Sequence, residues 1–180
     1  MPRFYVEGCQ DAQTGITIMG EDVNHIKNVL RLTIGDTITV CDGAGKEYEC
    51  EIAEISKEQV YANIVDINQN AAELPGNITL FQGMPKSDKM EVILQKAVEL
   101  GAAGVIPVAT RNAVVKLDAK KADNKVKRWQ AIAESAAKQS GRALIPTVEP
   151  VMDFASALKA MKQFDKGLIP YECADEILED

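Results

Sequence analysis

Ile78-Thr79-Leu80-Phe81-Gln82-Gly83 begins the stretch that decides the fold, because its apolar run and closing glycine predict a strand. After Asp88, apolar residues recur at helical spacing and stop at Gly101, which predicts a helix. Gly104-Val105-Ile106-Pro107-Val108-Ala109 predicts the next strand. Strands that alternate with helices indicate a parallel sheet with right-handed crossovers.

The same alternation continues along the chain. A long basic helix is predicted to begin near Ala119, with Trp129 on its apolar face. A third helix, Asp153 to about Met161, leads into a strand candidate at 167–171. Pro107 has no amide hydrogen, so it predicts an edge or irregular position in its strand.

The first 70 residues have a different hydrophobic pattern. Short, often alternating segments predict strands with one wet face, at 4–6, 16–18, 37–40, 48–52 and 60–65. One helix is predicted from Glu21 to about Leu30, with His25 and Val29 on a shared face, and the glycines of 42–45 predict a hairpin turn. A small OB-like or PUA-like barrel fits this pattern, and barrels of this size often bind RNA. The polar segment 66–77 predicts a linker, which gives domains of 1–72 and 73–180.

Charge is distributed unevenly along the chain. The 180 residues carry a formal net charge of -7, yet residues 81–146 hold twelve Lys/Arg and six Asp/Glu, a net +6. Positive charge concentrated in this way predicts contact with a polyanion such as nucleic acid. The plain alternative is a solvated helix face.

Several function classes find no support in the sequence. No apolar run approaches the roughly 20 residues that span a membrane, and residues 1–6 contain no signal-peptide core. The four cysteines show no CxxC spacing, and neither GxGxxG nor GxxxxGK[ST] occurs. We therefore expect buried reduced thiols, no metal site and a cytoplasmic location.

Two polar segments are candidates for chemistry. Gly141 suits the left-handed position after a helix end, so Gln139, Ser140 and Arg142 are expected to surround free carbonyls there. The Arg142 guanidinium would suit a phosphate or a base edge. Residues 83–90 join a strand to a helix, and Lys86 and Lys89 would lie beside an anion at the carboxyl ends of the strands. Capping of the helix by Ser87 or Asp88 is the structural alternative for that loop, and packing on the barrel is the alternative for His25.

The motifs resemble those of the small-subunit ribosomal RNA methyltransferase E family, in order and spacing over essentially all 180 residues. The matching segments are 2–4, 25–26, 29–31, 82–90, 95–101, 106–107, 110–112, 128–129 and 139–142.

That resemblance implies a fold and an activity. It implies a PUA-like β-barrel followed by a SPOUT-type α/β domain that works as a homodimer. The implied reaction moves a methyl group from S-adenosylmethionine to N3 of a uridine in small-subunit ribosomal RNA, either as free RNA or in the assembled subunit. The implied catalytic residues are Arg111, Arg142, Gln139 and Ser140, and the implied RNA contacts are Arg3, His25, Arg31, Lys86, Lys89 and Arg128.

The chain departs from the family pattern after residue 170. Only Pro170, Tyr171 and Glu172 match the first wall of the family's cofactor pocket, and the later glycine-rich loop is absent from this sequence. We therefore expect a SPOUT domain that stops before the trefoil knot and a 180-residue chain that is inactive alone. A non-catalytic RNA-binding or ribosome-assembly module is the alternative if the protein ends at Asp180.

Overall fold

Two β-sheets organise the protein, one from each half of the chain. The computed structural model describes residues 1–9, 12–69, 73–86, 89–110 and 119–170. Among these residues, the first sheet uses only strands from the predicted β-rich half, and the second uses only strands from the predicted α/β half. The domain boundary at 72/73 stays a prediction, because residues 70–72 lie outside the described part.

The first sheet has five strands in the order β1-β3-β4-β5-β2. Their bounds are β1 Arg3–Tyr5, β2 Gly15–Met19, β3 Thr37–Cys41, β4 Lys46–Ile55 and β5 Gln59–Gln69. All neighbours are antiparallel except β1 and β3, which run parallel. At the β3–β4 hairpin, the Asp42 carboxylate accepts hydrogen bonds from the amides of Ala44 and Lys46, which confirms the predicted turn.

The helix of this half is split into two kinds of turn. Helix α1, Glu21–Asn24, continues as a π-helical segment, His25–Val29. Its buried residues are Val23 and Ile26, which pack into the barrel core. His25 and Val29, the residues predicted to share a face, are both exposed in this segment.

The second sheet is entirely parallel, as predicted. Its strands are β6 Thr79–Gly83, β7 Gly104–Ala109, β8 Thr147–Val148 and β9 Met152–Asp153. Its helices are α2 Lys89–Glu99, α3 Ala119–Ser140 and α4 Phe154–Met161. Asp153 caps α4 by accepting a hydrogen bond from the Ser156 amide at 3.0 Å.

Helices cover both faces of this sheet. Val105 faces α2 and α3 and packs with Leu94 and Trp129. Ile106 points to the other face, where it packs near Ala157 of α4. This alternation follows from the two-residue period of a strand, so α4 and the α2/α3 pair lie on opposite sides.

Pro107 is fully buried in β7, which has neighbours on both sides, so the edge position is wrong. The alternative, an irregular position, is confirmed. The Val105 carbonyl accepts a hydrogen bond from the Glu149 amide on the β8 side. The Val108 carbonyl accepts one from the Met84 amide on the β6 side. The backbone of residue 107 therefore faces the β8 side, where pairing passes from β8 at residues 104–105 to β9 at residues 108–109, so Pro107 lies in the gap between these two ladders.

The strand predicted at 167–171 is not formed by its described part. Residues 167–170 have no regular secondary structure and are exposed, and Tyr171 lies outside the described residues. Apolar side chains such as Leu168 and Ile169 satisfy the strand pattern, but a strand also needs a neighbour with which to share hydrogen bonds.

Three cysteines, Cys9, Cys41 and Cys50, are buried free thiols, in line with the expected reduced state. Burial raises the pKa of the Cys41 thiol to about 11, although the nearby Arg3 guanidinium acts in the opposite direction. Burial also raises the pKa of Cys50 to about 11. Because the thiolate is the reactive form, these thiols are expected to be inert near neutral pH.

We expect a Cys173→Ser variant to react with a disulfide reagent at pH 8 about 100-fold more slowly when folded than when unfolded. The stabilisation from neutral thiols is complete below their unfolded pKa and is lost as the pH rises from about 9 to about 11. Absorbance of the released thiolate follows the reaction, with guanidinium-unfolded protein as the control. Rapid reaction of all three thiols in the folded protein would contradict this account.

Candidate functional site

The segment Gln139–Arg142 ends α3 in a left-handed cap. Gly141 has a φ of 73°, and its amide donates to the Lys138 carbonyl at 3.4 Å. The Arg142 amide donates to the Ala137 carbonyl at 3.0 Å. This pair of bonds is a Schellman motif, which explains why a glycine stands at 141.

The Arg142 side chain lies inside the protein rather than in an open cleft. It is 2% exposed, and its guanidinium donates to the carbonyls of Val98 and Ala102 at 3.1 and 2.6 Å. Its other edge binds the Glu73 carboxylate, with the shorter contact at 2.7 Å. The expectation of an accessible guanidinium is thus corrected, because these groups occupy its donors.

Glu73 is the partner that the sequence analysis missed. Its second carboxylate oxygen accepts a hydrogen bond from the Leu144 amide at 2.9 Å. The carboxylate therefore ties the segment before β6 to the segment that follows α3. A lone glutamate in a polar linker carried no signal of this role, since its partner is 69 residues away.

Gln139 and Ser140 are exposed at the same helix end. The Ser140 hydroxyl donates to the Ala136 carbonyl at 2.8 Å, so it completes the last turn of α3. Their roles in substrate binding stay predictions. The described contacts of Ser140 are those of a capping residue.

The segment Gln139–Arg142 and Lys86 lie at different edges of the sheet. Arg142 contacts residues that directly precede β7, so Gln139–Arg142 lies at the amino ends of the strands. Lys86 follows β6, and residue 110 follows β7, at the opposite, carboxyl edge. The five residues of β6 separate the two edges by about 16 Å. Arg111 itself, like Ser87 and Asp88, lies outside the described residues.

The carboxyl edge carries exposed cations. Lys86 and Lys89 are exposed at the start of α2. Arg128 of α3 forms an ion pair with Glu91 at 2.8 Å, and its side chain is 68% exposed. That pair places the middle of α3 beside the first turn of α2, which brings the three predicted RNA contacts Lys86, Lys89 and Arg128 to one side of the domain.

The predicted contacts in the barrel are more scattered. Arg3 is half-buried, pairs with Glu47 and donates to the Cys41 sulfur at 3.2 Å, so it has a structural partner. His25 is exposed, with its ring edge-to-face with Phe4 at 6.2 Å. Arg31 is exposed, with a left-handed φ of 55° that is unusual for an arginine.

Direct contacts join the barrel to the α/β domain. The Tyr5 hydroxyl donates to the Arg142 carbonyl, and the Lys138 ammonium lies 5.4 Å from the centre of the Tyr5 ring. Burial raises the Tyr5 pKa to about 12, so the hydroxyl stays a donor at neutral pH. On the other side, the Ile145 amide donates to the Gly43 carbonyl at 2.9 Å.

A cavity of about 560 Å³ lies between the sheet and α4. Its wall is largely apolar and includes Phe81, Leu158 and Ile169. Thr79, Thr110 and Lys166 supply polar groups to the wall. Pro170, one of the predicted cofactor contacts, is exposed and directly follows Ile169, whereas Tyr171 and Glu172 lie outside the described residues.

Two kinds of feature are absent from the described part of the chain. Within it, no helix is both long and apolar enough to cross a bilayer. The same residues bring together no group of three or more side chains able to hold a metal ion.

Known families match both halves of the chain. Residues 72–180 match the family described as the RNA methyltransferase domain, and residues 18–65 match the RNA methyltransferase PUA domain. The ribosomal RNA small subunit methyltransferase E of Bacillus subtilis is 41% identical over 96% of this chain and 68% of its own length. That of Mycobacterium tuberculosis is 26% identical over 89% of this chain and 61% of its own.

Solved structures give the same picture. A crystal structure of the Neisseria gonorrhoeae ribosomal RNA small subunit methyltransferase E bound to S-adenosyl methionine is 36% identical, with a TM-score of 0.72. The match covers 89% of this chain and 66% of that one. A Legionella pneumophila methyltransferase in complex with the same cofactor is 32% identical, with a TM-score of 0.64, over 83% and 62%. The chain therefore spans about two thirds of the proteins it resembles.

Proposed function

Since this chain belongs to the ribosomal RNA small subunit methyltransferase E family, we propose that the full-length protein transfers a methyl group from S-adenosylmethionine to N3 of a uridine in small-subunit ribosomal RNA. The observation that carries the proposal is the 41% identity to the Bacillus subtilis relative over 96% of this chain. Cytoplasmic location, a role in ribosome assembly and a homodimeric state follow from that family and are proposed with it.

The cofactor fits the described cavity only in part. A cavity of about 560 Å³ is within the usual size range of small-molecule sites, and its apolar wall suits a flat adenine ring. Lys166, however, is the charged group in its described wall, and a lysine repels the sulfonium cation of the cofactor. We therefore assign only the adenine ring of the cofactor to this cavity. Glu172 stays the predicted contact for a more polar part of the cofactor.

The chemistry assigns tasks to the protein side chains. The bound cofactor supplies a methyl group on a good leaving group. Formation of the bond between N3 and the methyl group releases the N3 proton to solvent, and loss of that proton ahead of the bond leaves negative charge on the ring oxygens. A fixed guanidinium stabilises such charge. Arg111 is the proposed residue because it follows the end of β7 by two residues in the sequence. Gln139 and Ser140 remain candidates for positioning the base.

Arg142 has a different proposed role. Its contacts with Val98, Ala102 and Glu73 support a positioning role, in which it holds the ends of α2 and α3 together. RNA binding is assigned to the exposed Lys86, Lys89 and Arg128 together with His25 and Arg31 of the barrel. Arg3 stays a weaker proposal because Glu47 already pairs with it.

We expect the full-length protein to transfer labelled methyl to small ribosomal subunits or their RNA, and nuclease digestion with mass spectrometry to identify N3-methyluridine. The 180-residue chain, tested beside it, is expected to bind RNA without transferring methyl. Transfer to another base or another atom would overturn the N3 assignment. Failure of the full-length protein to bind S-adenosylmethionine by calorimetry would overturn the enzymatic proposal and favour a non-catalytic RNA-binding module.

A further inference from the structure

A cluster of exposed cations surrounds the first half of α3. The described residues place seven basic side chains there, all exposed to solvent: Lys86, Lys89, Lys120, Lys121, Lys125, Lys127 and Arg128. We refer to these seven as the basic rim. The acidic groups described beside them are Asp123, in the same part of α3, and Glu91, which pairs with Arg128. The rim is thus strongly positive in a protein whose formal net charge is -7.

The geometry of the two helices explains why the rim is exposed. Arg128 contacts Glu91 at the start of α2, and Arg142 contacts Val98 near its end, so the helices run parallel. Helix α3 has 22 residues, or about 33 Å, whereas α2 has 11, or about 16 Å. The first turns of α3 therefore extend past the start of α2. Trp129 is the first buried side chain among the described side chains of α3.

The basic residues in the first turn of α3 are unfavourable for the helix itself. The amino end of a helix carries a partial positive charge, so acidic residues stabilise it and basic residues destabilise it. The first turn of α3 contains Lys120 and Lys121 and no acidic residue. A charge such as that of Lys120, which breaks this rule without a compensating contact among the described residues, tends to mark a functional surface. Lys120 has no ion pair within the described part of the chain, so packing gives no reason for its charge.

The opposite charge is concentrated along strand β4 of the barrel. Exposed or half-exposed carboxylates follow one another along β4 at Glu47, Glu49, Glu51 and Glu54. Glu49 also lies opposite Asp66 on β5 in the sheet register. A phosphate backbone is repelled by this surface and attracted by the basic rim.

We propose that the basic rim binds the phosphate backbone of the RNA substrate outside the target nucleotide. This inference rests on the proposed function, since it names where that substrate is held. Lysines on a helix suit this task because they meet phosphates as flexible point charges without reading sequence. Such contacts supply affinity that falls as the salt concentration rises.

The test compares two double variants of the full-length protein. Lys120→Gln with Lys127→Gln removes two charges from the rim, whereas Lys159→Gln with Lys162→Gln removes two from the α4 side of the sheet. All four lysines are exposed, so both variants should keep the stability of the unaltered protein. Binding to a labelled small-subunit RNA fragment is followed by fluorescence anisotropy over a series of salt concentrations.

We expect the rim variant to lose on the order of 10-fold or more in affinity at 0.1 M salt and the slope of log K against log salt to flatten by about 1.5. The α4 variant should bind like the unaltered protein. Unchanged binding by the rim variant, or an equal loss in both variants, would overturn this inference while leaving the proposed function intact. Absence of RNA binding by the unaltered protein would overturn both.

Discussion

Replacing Arg142 by Ala is expected to lower the free energy of unfolding by about 3–5 kcal/mol, the usual cost of removing one partner of a buried ion pair. The substitution leaves the Glu73 carboxylate without its cation and removes the guanidinium that donates to the carbonyls of Val98 and Ala102, of which Val98 keeps a hydrogen bond from the Gly101 amide. Because those groups join α2, α3 and the segment before β6, the loss should affect the whole α/β domain. Urea unfolding followed by circular dichroism measures the change.

Arg128→Ala is the matched control for that substitution. Arg128→Ala removes the same groups from α3 that Arg142→Ala removes just after its end, but the Arg128 side chain is 68% exposed, so its pair with Glu91 should contribute about 1 kcal/mol or less. Arg142→Lys keeps the charge without the planar guanidinium, so its free energy of unfolding should lie between those of the Arg142→Ala and Arg128→Ala proteins. A stable Arg142→Ala protein that had lost methyl transfer would instead return Arg142 to the reacting groups.

Leu94→Ala is expected to cost about 2–5 kcal/mol of unfolding free energy. Leu94 of α2 is fully buried and packs in the cluster that contains Trp129 and Val105. Truncation removes apolar contacts and leaves a cavity that surrounding helices and strand fill only in part. The midpoint of chemical unfolding should fall accordingly.

The chain provides a close control for that change. Leu100 follows the same helix but is 80% exposed, so Leu100→Ala removes the same atoms with an expected effect within about 0.5 kcal/mol. Equal effects of the two substitutions would mean that α2 does not pack on the sheet as described. A selective effect of Leu94→Ala supports the α2–α3 interface.

The predicted fold class is confirmed: a PUA-like barrel followed by a SPOUT-type α/β domain with a parallel sheet. Most strand and helix positions were predictable because their signals are local. Apolar spacing predicted α2, and the basic helix begins at Ala119 as expected. The exceptions depend on what surrounds them, and they include the π-helical segment at His25–Val29, the end of β5 inside the predicted linker, the unpredicted short strands β8 and β9, and residues 167–170.

The candidate site was less predictable than the fold. Gly141 was assigned correctly to a helix end, yet the arginine beside it was expected to face a substrate. A helix that follows a parallel strand ends at the opposite edge of the sheet, so this rule already separates Gln139–Arg142 from Lys86. The partner of Arg142 could not be inferred, since Glu73 is far away in sequence and unremarkable in its local pattern.

By itself, the sequence determined the division into a β-rich and an α/β half, the parallel sheet and the concentration of positive charge in residues 81–146. Those properties follow from periodicity and composition, which neighbouring residues record. Only the tertiary structure decided that Arg142 is buried against Glu73 and that the first turns of α3 extend past α2 as an exposed basic surface. The physical reason is that burial and charge pairing depend on which distant segments meet, and basic side chains therefore serve packing just after the end of α3 and face solvent near its start.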